Sequence, residues 1–144
     1  MADRYTYPVE LEHDKKSGTI TVSFVDVPGA TEGDDRDEAM VNAVACLETA
    51  LTEYVARRQP LPKPSRPKRG QAMVRLSALG VAKAALYEGM QARVVGRAEL
   101  ARRLGWHLAQ IDRILDLAHD SKMDLVEQAL AALDMRLRIE VEAA

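Results

Sequence analysis

Cysteine is nearly absent: Cys46 stands alone among 144 residues. One thiol excludes an intramolecular disulfide, so burial has to hold the fold, and a reducing, cytoplasmic setting is expected. Cys46 falls in an Ala-rich helical stripe, where a small buried hydrophobe is the expected role rather than a nucleophile. Aromatic residues make up only 4% of the chain, which makes any core chiefly aliphatic. No apolar run approaches the roughly 20 residues that a bilayer crossing needs, and Met1 to Glu12 carry charges where a secretory leader has an apolar centre. Glycine-rich phosphate loops and Ser/His/Asp arrangements are also missing, and the histidines show no zinc spacing. Clustered carboxylates at Asp26, Glu32, Asp34, Asp35, Asp37 and Glu48 invite a magnesium-dependent nuclease reading. Most of them crowd one loop and helix start, where capping and dipole compensation account for them, so neither metal, cofactor nor enzymatic activity is expected.

What is present is a mixture of 47% hydrophobic and 29% charged residues, the composition of a globular protein. The length suits one compact domain or two small ones with modest cores, for which oligomerisation or a partner is a natural supplement. The formal charge of −2 hides a strong asymmetry. Up to Ala56 there are 12 acidic and 4 basic residues; from Arg57 to Arg75 there are 7 basic and none acidic; beyond, 9 basic face 10 acidic. An acidic head suits a basic protein and repels nucleic acid, whereas a basic middle suits phosphates; a solvated acidic face and a flexible basic tether are the plainer alternative.

Tyr5, Tyr7, Val9 and Leu11 alternate with polar residues, as do Ile20, Val22 and Phe24. Both segments predict half-buried strands, and the turn-rich His13–Gly18 stretch between them predicts an antiparallel hairpin. Pro28-Gly29 ends the second strand. Asp35 followed by Glu38 resembles a capping box and sets a helix start immediately before Ala39. Met40, Val44, Leu47, Leu51 and Val55 then repeat at helical spacing as one apolar stripe. Pro60, Pro62, Pro64 and Pro67, mixed with basic residues, end the helix and predict a semi-rigid spacer. Met73-Val74-Arg75-Leu76 reads as a third strand, either completing the first sheet or opening a second domain. Beyond Ser77 the pattern is helical, with Leu79, Ala82, Leu86 and Met90 on one face and a last helix from about Asp124 to Leu133. Strict alternation from Arg136 to Glu142 predicts a terminal strand that needs an edge in another copy of the chain.

The most specific stretch is Arg97 to Ile114, RAELARRLGWHLAQIDRI. Ala101 supplies the small residue that two closely crossing helices need, and Gly105 the tolerance of positive φ that their turn needs. Leu100, Leu104, Trp106, Leu108, Ile111 and Ile114 fill or border the core, with Leu125, Ala129 and Leu133 closing the bundle from a third helix. An ordinary helical hairpin has some of these features; together they predict a DNA-binding helix-turn-helix whose second helix enters the major groove. Arg113, on the outer side of that helix, is the expected guanine reader. Leu108 and Ala109 are placed for thymine methyl groups if Leu108 is not core, and Gln110 joins them as a contact. Arg97 and Lys122 are the expected phosphate contacts, Arg102 and Arg103 add charge to the DNA-binding side or one of them is a solvated surface residue, and His107 is either a contact or a helix cap. Four aspartates, Asp112, Asp116, Asp120 and Asp124, weaken the grip of a single copy, which a dimer on a palindromic site would offset.

The whole chain resembles the HicB family of type II antitoxins in its helix-turn-helix branch. The likeness is carried by Tyr7-Pro8-Val9, Val22-Ser23-Phe24-Val25-Asp26-Val27-Pro28-Gly29, Gly33-Asp34 before Glu38-Ala39, and Leu61-Pro62-Lys63-Pro64-Ser65. Ala98-Glu99-Leu100-Ala101-Arg102-Arg103-Leu104-Gly105, Ser121-Lys122-Met123-Asp124 and Ala129-Leu130-Ala131-Ala132-Leu133 continue it. Two positions depart from the family: Val25 stands where proline is usual, and Asp134 where a glycine often ends the last helix. Asp tolerates the left-handed conformation at modest cost.

The resemblance implies an α+β protein with three parts. Residues 1–59 would form a truncated, inactive RNase H-like head of sheet plus one helix, 60–70 a proline-rich basic linker, and 71–144 an all-α DNA-binding and dimerising domain with a C-terminal strand. It also implies a HicA-type RNA-cleaving toxin as partner, operator DNA as a second, and a homodimer or tetramer that represses its own operon. A stand-alone repressor with a sensing or oligomerising head, and more remotely an active nuclease with a DNA-targeting tail, are the competing readings.

Overall fold

The two alternating segments form the expected antiparallel hairpin in the computed structural model, which describes residues 4–144; residues 1–3 of the N-terminal stretch lie outside the described residues. Strand β1 (Thr6–His13) pairs with β2 (Ile20–Phe24) in a register that sets Val9 opposite Phe24 and Leu11 opposite Val22. Because side chains alternate, this register gathers Tyr7, Val9 and Val22 on a buried face and leaves Glu10 and Glu12 exposed on the other.

Pro28-Gly29 does not end the sheet. It turns the chain into β3 (Ala30–Gly33), which pairs antiparallel with β2. Gly33 is required there: a Cβ would stand 2.3 Å from the Ala39 backbone nitrogen, so only glycine lets the strand end meet the start of the next helix. Met73-Val74-Arg75 takes the first of its two open placements. It forms β4 (Ala72–Arg75), antiparallel to β1, and the sheet order is β3-β2-β1-β4.

Helix α1 (Arg36–Ala56) covers the apolar face of the sheet. Asp35 caps it, its carboxylate accepting from the Glu38 N–H at 2.8 Å, and the helix begins three residues ahead of Ala39. Its buried stripe is Ala39, Ala43, Leu47, Leu51 and Val55. At the N-terminal end the stripe runs through alanines in place of Met40 and Val44, which are half-buried, because the small side chains admit the close approach at Gly33.

Residues 60–70 contain no helix or strand, yet the stretch read as a spacer is fastened to the fold. The Tyr7 hydroxyl donates to the Pro62 carbonyl at 2.7 Å, and the Tyr87 hydroxyl to the Gln59 carbonyl at 2.7 Å. Asp26 accepts from the Ser65 backbone N–H at 2.8 Å and from its hydroxyl, while Leu61 is buried. Burial pushes the Tyr7 phenol up to about 12, which keeps it a donor throughout the neutral range.

Four helices follow: α2 (Ala78–Ala92), α3 (Arg97–Leu104), α4 (Leu108–Leu115) and α5 (Met123–Ala131). Ser77 caps α2 by accepting from the Gly80 N–H at 3.0 Å, and Ala82, Leu86 and Met90 face inward as expected. In α5 the buried residues are Val126, Ala129 and Leu130, joined by Leu133 beyond its end, while Leu125 is only half-buried. Asp134 adopts φ 58°, the left-handed conformation its place after the helix demands. The terminal strand does not form within the chain: Arg136–Glu142 lies in no helix or strand, and Ile139 and Val141 are exposed. Alternation alone does not make a strand, since backbone groups need a neighbouring strand to pair with.

One connected apolar core runs from Tyr7, Val9 and Val22 through Leu47 and Leu51 to Leu86, Ile111 and Val126, so the sheet layer and the helical layer share an interior. Among the described residues, no helix is long and apolar enough to cross a membrane.

Candidate functional site

The stretch from Arg97 to Leu115 is two eight-residue helices separated by Gly105-Trp106-His107. Gly105 sits at φ 68°, ψ 30°, where its N–H and that of Trp106 both turn back to the Ala101 carbonyl and stop α3. Leu100 and Ala101 of α3 and Ile111, Ile114 and Leu115 of α4 are buried, and Trp106 packs half-buried against the core. At the start of α4 the Gln110 side-chain oxygen accepts from the His107 N–H at 2.8 Å. That bond closes an otherwise open helix terminus.

The outward side of α4 carries Leu108, Ala109, Asp112 and Arg113, with His107 just ahead of it; all five are exposed. Leu108 is 47% exposed, so it belongs to the surface and not to the core. The Arg113 guanidinium has no ion-pair partner among the described residues. Lys122, also exposed, is the cap residue of α5.

The cations of α3 are in a different state. Arg97 holds Asp112 of α4 at 2.7 Å through Nε and 2.6 Å through a terminal nitrogen. Arg102 is bidentate on Glu99, at 2.9 and 2.5 Å, and Arg103 reaches the same carboxylate at 3.0 Å and the Ala132 carbonyl at 3.2 Å. These hydrogen bonds hold the Glu99 carboxyl down at about 2. The structure thus brings His107, Leu108, Ala109 and Arg113 together on one side, ties Arg97 to that helix through Asp112, commits Arg102 to its own helix, and turns Gln110 back on the α4 start.

Lys83 of α2 escaped the sequence reading. It is fully buried, and its ammonium donates to three backbone carbonyls at the end of α4 and in the loop beyond: Arg113 at 3.1 Å, Asp116 at 2.7 Å and His119 at 2.7 Å. Burial lowers its pKa, opposed by the carboxylates of Asp116, Glu48 and Asp120. The one signal was positional: residue 83 falls four after Leu79 and three before Leu86, inside the apolar stripe. From α1, the Thr52 hydroxyl oxygen accepts from the Leu117 N–H at 3.1 Å, and Glu48 accepts from the Ser77 hydroxyl at 3.1 Å.

A cleft of about 890 Å³ opens beside α4, its wall formed by Val55, Met90, Val95 and Leu115, with Arg97, Leu108 and Asp112 among its lining residues. On the sheet, pairing places Glu10, Glu12 and Glu32 on the face away from α1. No group of three or more His, Cys, Asp or Glu is placed to hold a metal among the described residues. Of the clustered carboxylates, Asp35 caps α1, Asp26 holds Ser65 and Glu48 accepts from Ser77.

Residues 6–85 match the HicB_like antitoxin family of bacterial toxin-antitoxin systems. Antitoxin HicB of Pseudomonas fluorescens is 38% identical over 146 residues, covering 100% of both chains. Antitoxin HicB 2 of Photorhabdus laumondii is 39% identical over 96% of this chain and 98% of its own, and Antitoxin HicB of Escherichia coli K12 is 33% identical over 92% and 96%. The match takes in the sheet, α1, the fastened basic stretch and the start of α2, and the relatives continue it through α3, α4 and α5. The chain belongs to the HicB family of antitoxins of bacterial toxin-antitoxin systems.

Proposed function

We propose that the chain neutralises a HicA-type, RNA-cleaving toxin through its sheet half and represses its own operon by laying α4 in the major groove of operator DNA. The observation that carries the DNA half is the contrast in cation state. Arg113 is exposed and, among the described residues, without an ion-pair partner on the helix side that also exposes Leu108, Ala109 and the Arg97-bound Asp112, while Arg97 and Arg102 of the preceding helix are paired with carboxylates. A free guanidinium flanked by small and apolar side chains suits a guanine edge beside thymine methyl groups. Arg97 and Lys122 flank the reader as phosphate contacts, with Arg97 exchanging Asp112 for the backbone on binding. His107 and Gln110 order the N-terminal end that enters the groove.

The sheet half supports the toxin role by its charge. Glu10, Glu12 and Glu32 share the sheet face that α1 leaves uncovered, a surface suited to a basic protein and unsuited to nucleic acid. Neutralisation is occlusion and not catalysis. In this division the sheet half, residues 1–59 together with β4, binds toxin, the stretch 60–70 is fastened to it, and α2 to α5 bind DNA and assemble the dimer or tetramer, with residues 136–142 pairing between copies.

The test is footprinting on the DNA upstream of the chain's own reading frame. Arg113→Ala should weaken binding by about 1–3 kcal/mol and relax preference at one base position. An unchanged footprint refutes the reader assignment. Glu10→Lys with Glu12→Lys and Glu32→Lys should weaken the complex with the adjacent toxin without altering the footprint; undiminished toxin affinity refutes the sheet-face assignment.

A further inference from the structure

An eight-residue helix does not hold its own pose. Helices this short are marginal in isolation, so the orientation of α4 comes from whatever grips its two ends. Its N-terminal end is closed locally by Gln110 on His107. At its C-terminal end the local hold is slight: the cap residue, Asp116, donates its N–H to the Arg113 carbonyl at 3.3 Å and then leaves the helix in an extended conformation at φ −84°, ψ 107°, with no left-handed glycine, and the Ser121 hydroxyl donates to the same carbonyl at 3.5 Å. The shorter bonds there come from another element.

Lys83 provides them. An ammonium has three protons to donate, and here all three go to main-chain oxygens, those of Arg113, Asp116 and His119. Positive charge at the carbonyl end of a helix also complements its dipole. The side chain is fully buried, on a helix face otherwise occupied by Ala82 and Leu86. Burying an ammonium is costly, and an apolar side chain of similar volume commonly stabilises a fold as well or better. What the apolar side chain lacks is direction: it fills space without fixing where three carbonyls lie.

The contact is specific in one more respect. Arg113 supplies its carbonyl to the buried ammonium and its guanidinium to the solvent. The clamp therefore acts on the same residue that faces outward as the reader, through one Cα. Thr52 adds a second hold on the loop, from the helix that also carries the sheet, by accepting from Leu117 N–H.

We infer that Lys83 is a positioning residue for DNA reading: its ammonium, clamped on the carbonyls of Arg113, Asp116 and His119, sets the pose in which α4 presents Arg113 to base edges. The inference rests on the reading of α4 as the DNA-contacting helix. It gives the buried lysine a role in discrimination between sequences, beyond its share of folding stability.

The test measures affinity of the full-length protein for two probes: a duplex from the region upstream of its own reading frame, and a random-sequence duplex of equal length at the same salt. A variant that only loses folded molecules weakens both probes by the same factor, leaving their ratio unchanged. Lys83→Met removes the ammonium and keeps the stem; the ratio should fall at least about tenfold, with toxin binding retained. Thr52→Val, a milder change on the other side of the loop, should lower it about threefold, and it decides the matter if Lys83→Met is not recovered folded. An unchanged ratio in the variants, while Arg113→Ala lowers it, overturns the positioning role alone. If Arg113→Ala also leaves the ratio unchanged, the reading of α4 fails and the inference falls with it.

Discussion

Around the sheet, neutral or surface groups fasten the structure: the buried Tyr7 hydroxyl donates to Pro62, half-buried Asp26 holds Ser65, and Asp35 closes the end of α1 at the surface. Around α4, the fastening group is inside, a charged nitrogen beneath the helix it holds. A sheet is held in register by its own ladder and needs polar side chains only at its margins. Two short helices have no ladder between them, and direction has to be supplied by side chains within the packed interior. Yet the two halves share one apolar core, which makes α1 common property.

The sharpest way to break this comparison is to cut into the core on each side. Leu47→Ala in α1 and Ile111→Ala in α4 each remove a fully buried side chain and should cost about 2–5 kcal/mol. If the halves unfold together, Leu47→Ala lowers the transition seen by Trp106 fluorescence as much as the one seen by far-ultraviolet circular dichroism. A Trp106 transition that stays in place would show two separable units.

Two glycines sharpen it next. Gly33→Ala drives a Cβ against the backbone of α1 and should cost about 1–3 kcal/mol or more, read from the denaturant midpoint. Gly105→Ala meets no neighbouring atom and pays only for its positive φ, about 1–2 kcal/mol. Equal losses would remove the distinction between a close approach at the sheet and a local turn at the helices.

The smallest effect concerns pH. Glu99 titrates near 2 in the folded chain, below the ordinary carboxylate value, because Arg102 and Arg103 hydrogen-bond its charged form. Its contribution is present above about pH 4.3, the unfolded value, and is lost as pH falls through 2. Glu99→Gln should flatten that part of the acid-stability profile, and high salt should shrink the difference, since these groups are at the surface. A slope identical in both proteins would assign the acid sensitivity to other carboxylates.

Periodic features are legible in the sequence alone: the β1–β2 hairpin, the Asp35 cap, the Leu47, Leu51 and Val55 part of the α1 stripe and the break at Gly105 each follow from a local pattern. Strand β3 was not, because Ala-Thr-Glu-Gly lacks an alternating apolar signal and owes its place to β2 and the turn at Gly29. The fastening of Ser65 and Pro62 was not, because its partners lie 39 and 55 residues away. At the site, exposure of Arg113 follows from helical phase, whereas Leu108, an apolar residue that also fits the core pattern, has its exposure settled only by the fold. The Arg97–Asp112 pair and the Lys83 clamp, spanning 15 and 30 to 36 residues, depend on how helices meet.

The strand that completes the sheet lies downstream of the proline run, at Ala72–Arg75, while its ladder partner β1 is near the other end of the sequence. The visible seam in the sequence is therefore not a seam in the molecule. A chimera joining the head of one antitoxin to the tail of another at residues 60–70 would inherit half of the β1–β4 pairing from each parent. A junction placed beyond Leu76 keeps both strands from the same source, although the Tyr5–Glu88 and Tyr87–Gln59 hydrogen bonds would still cross it.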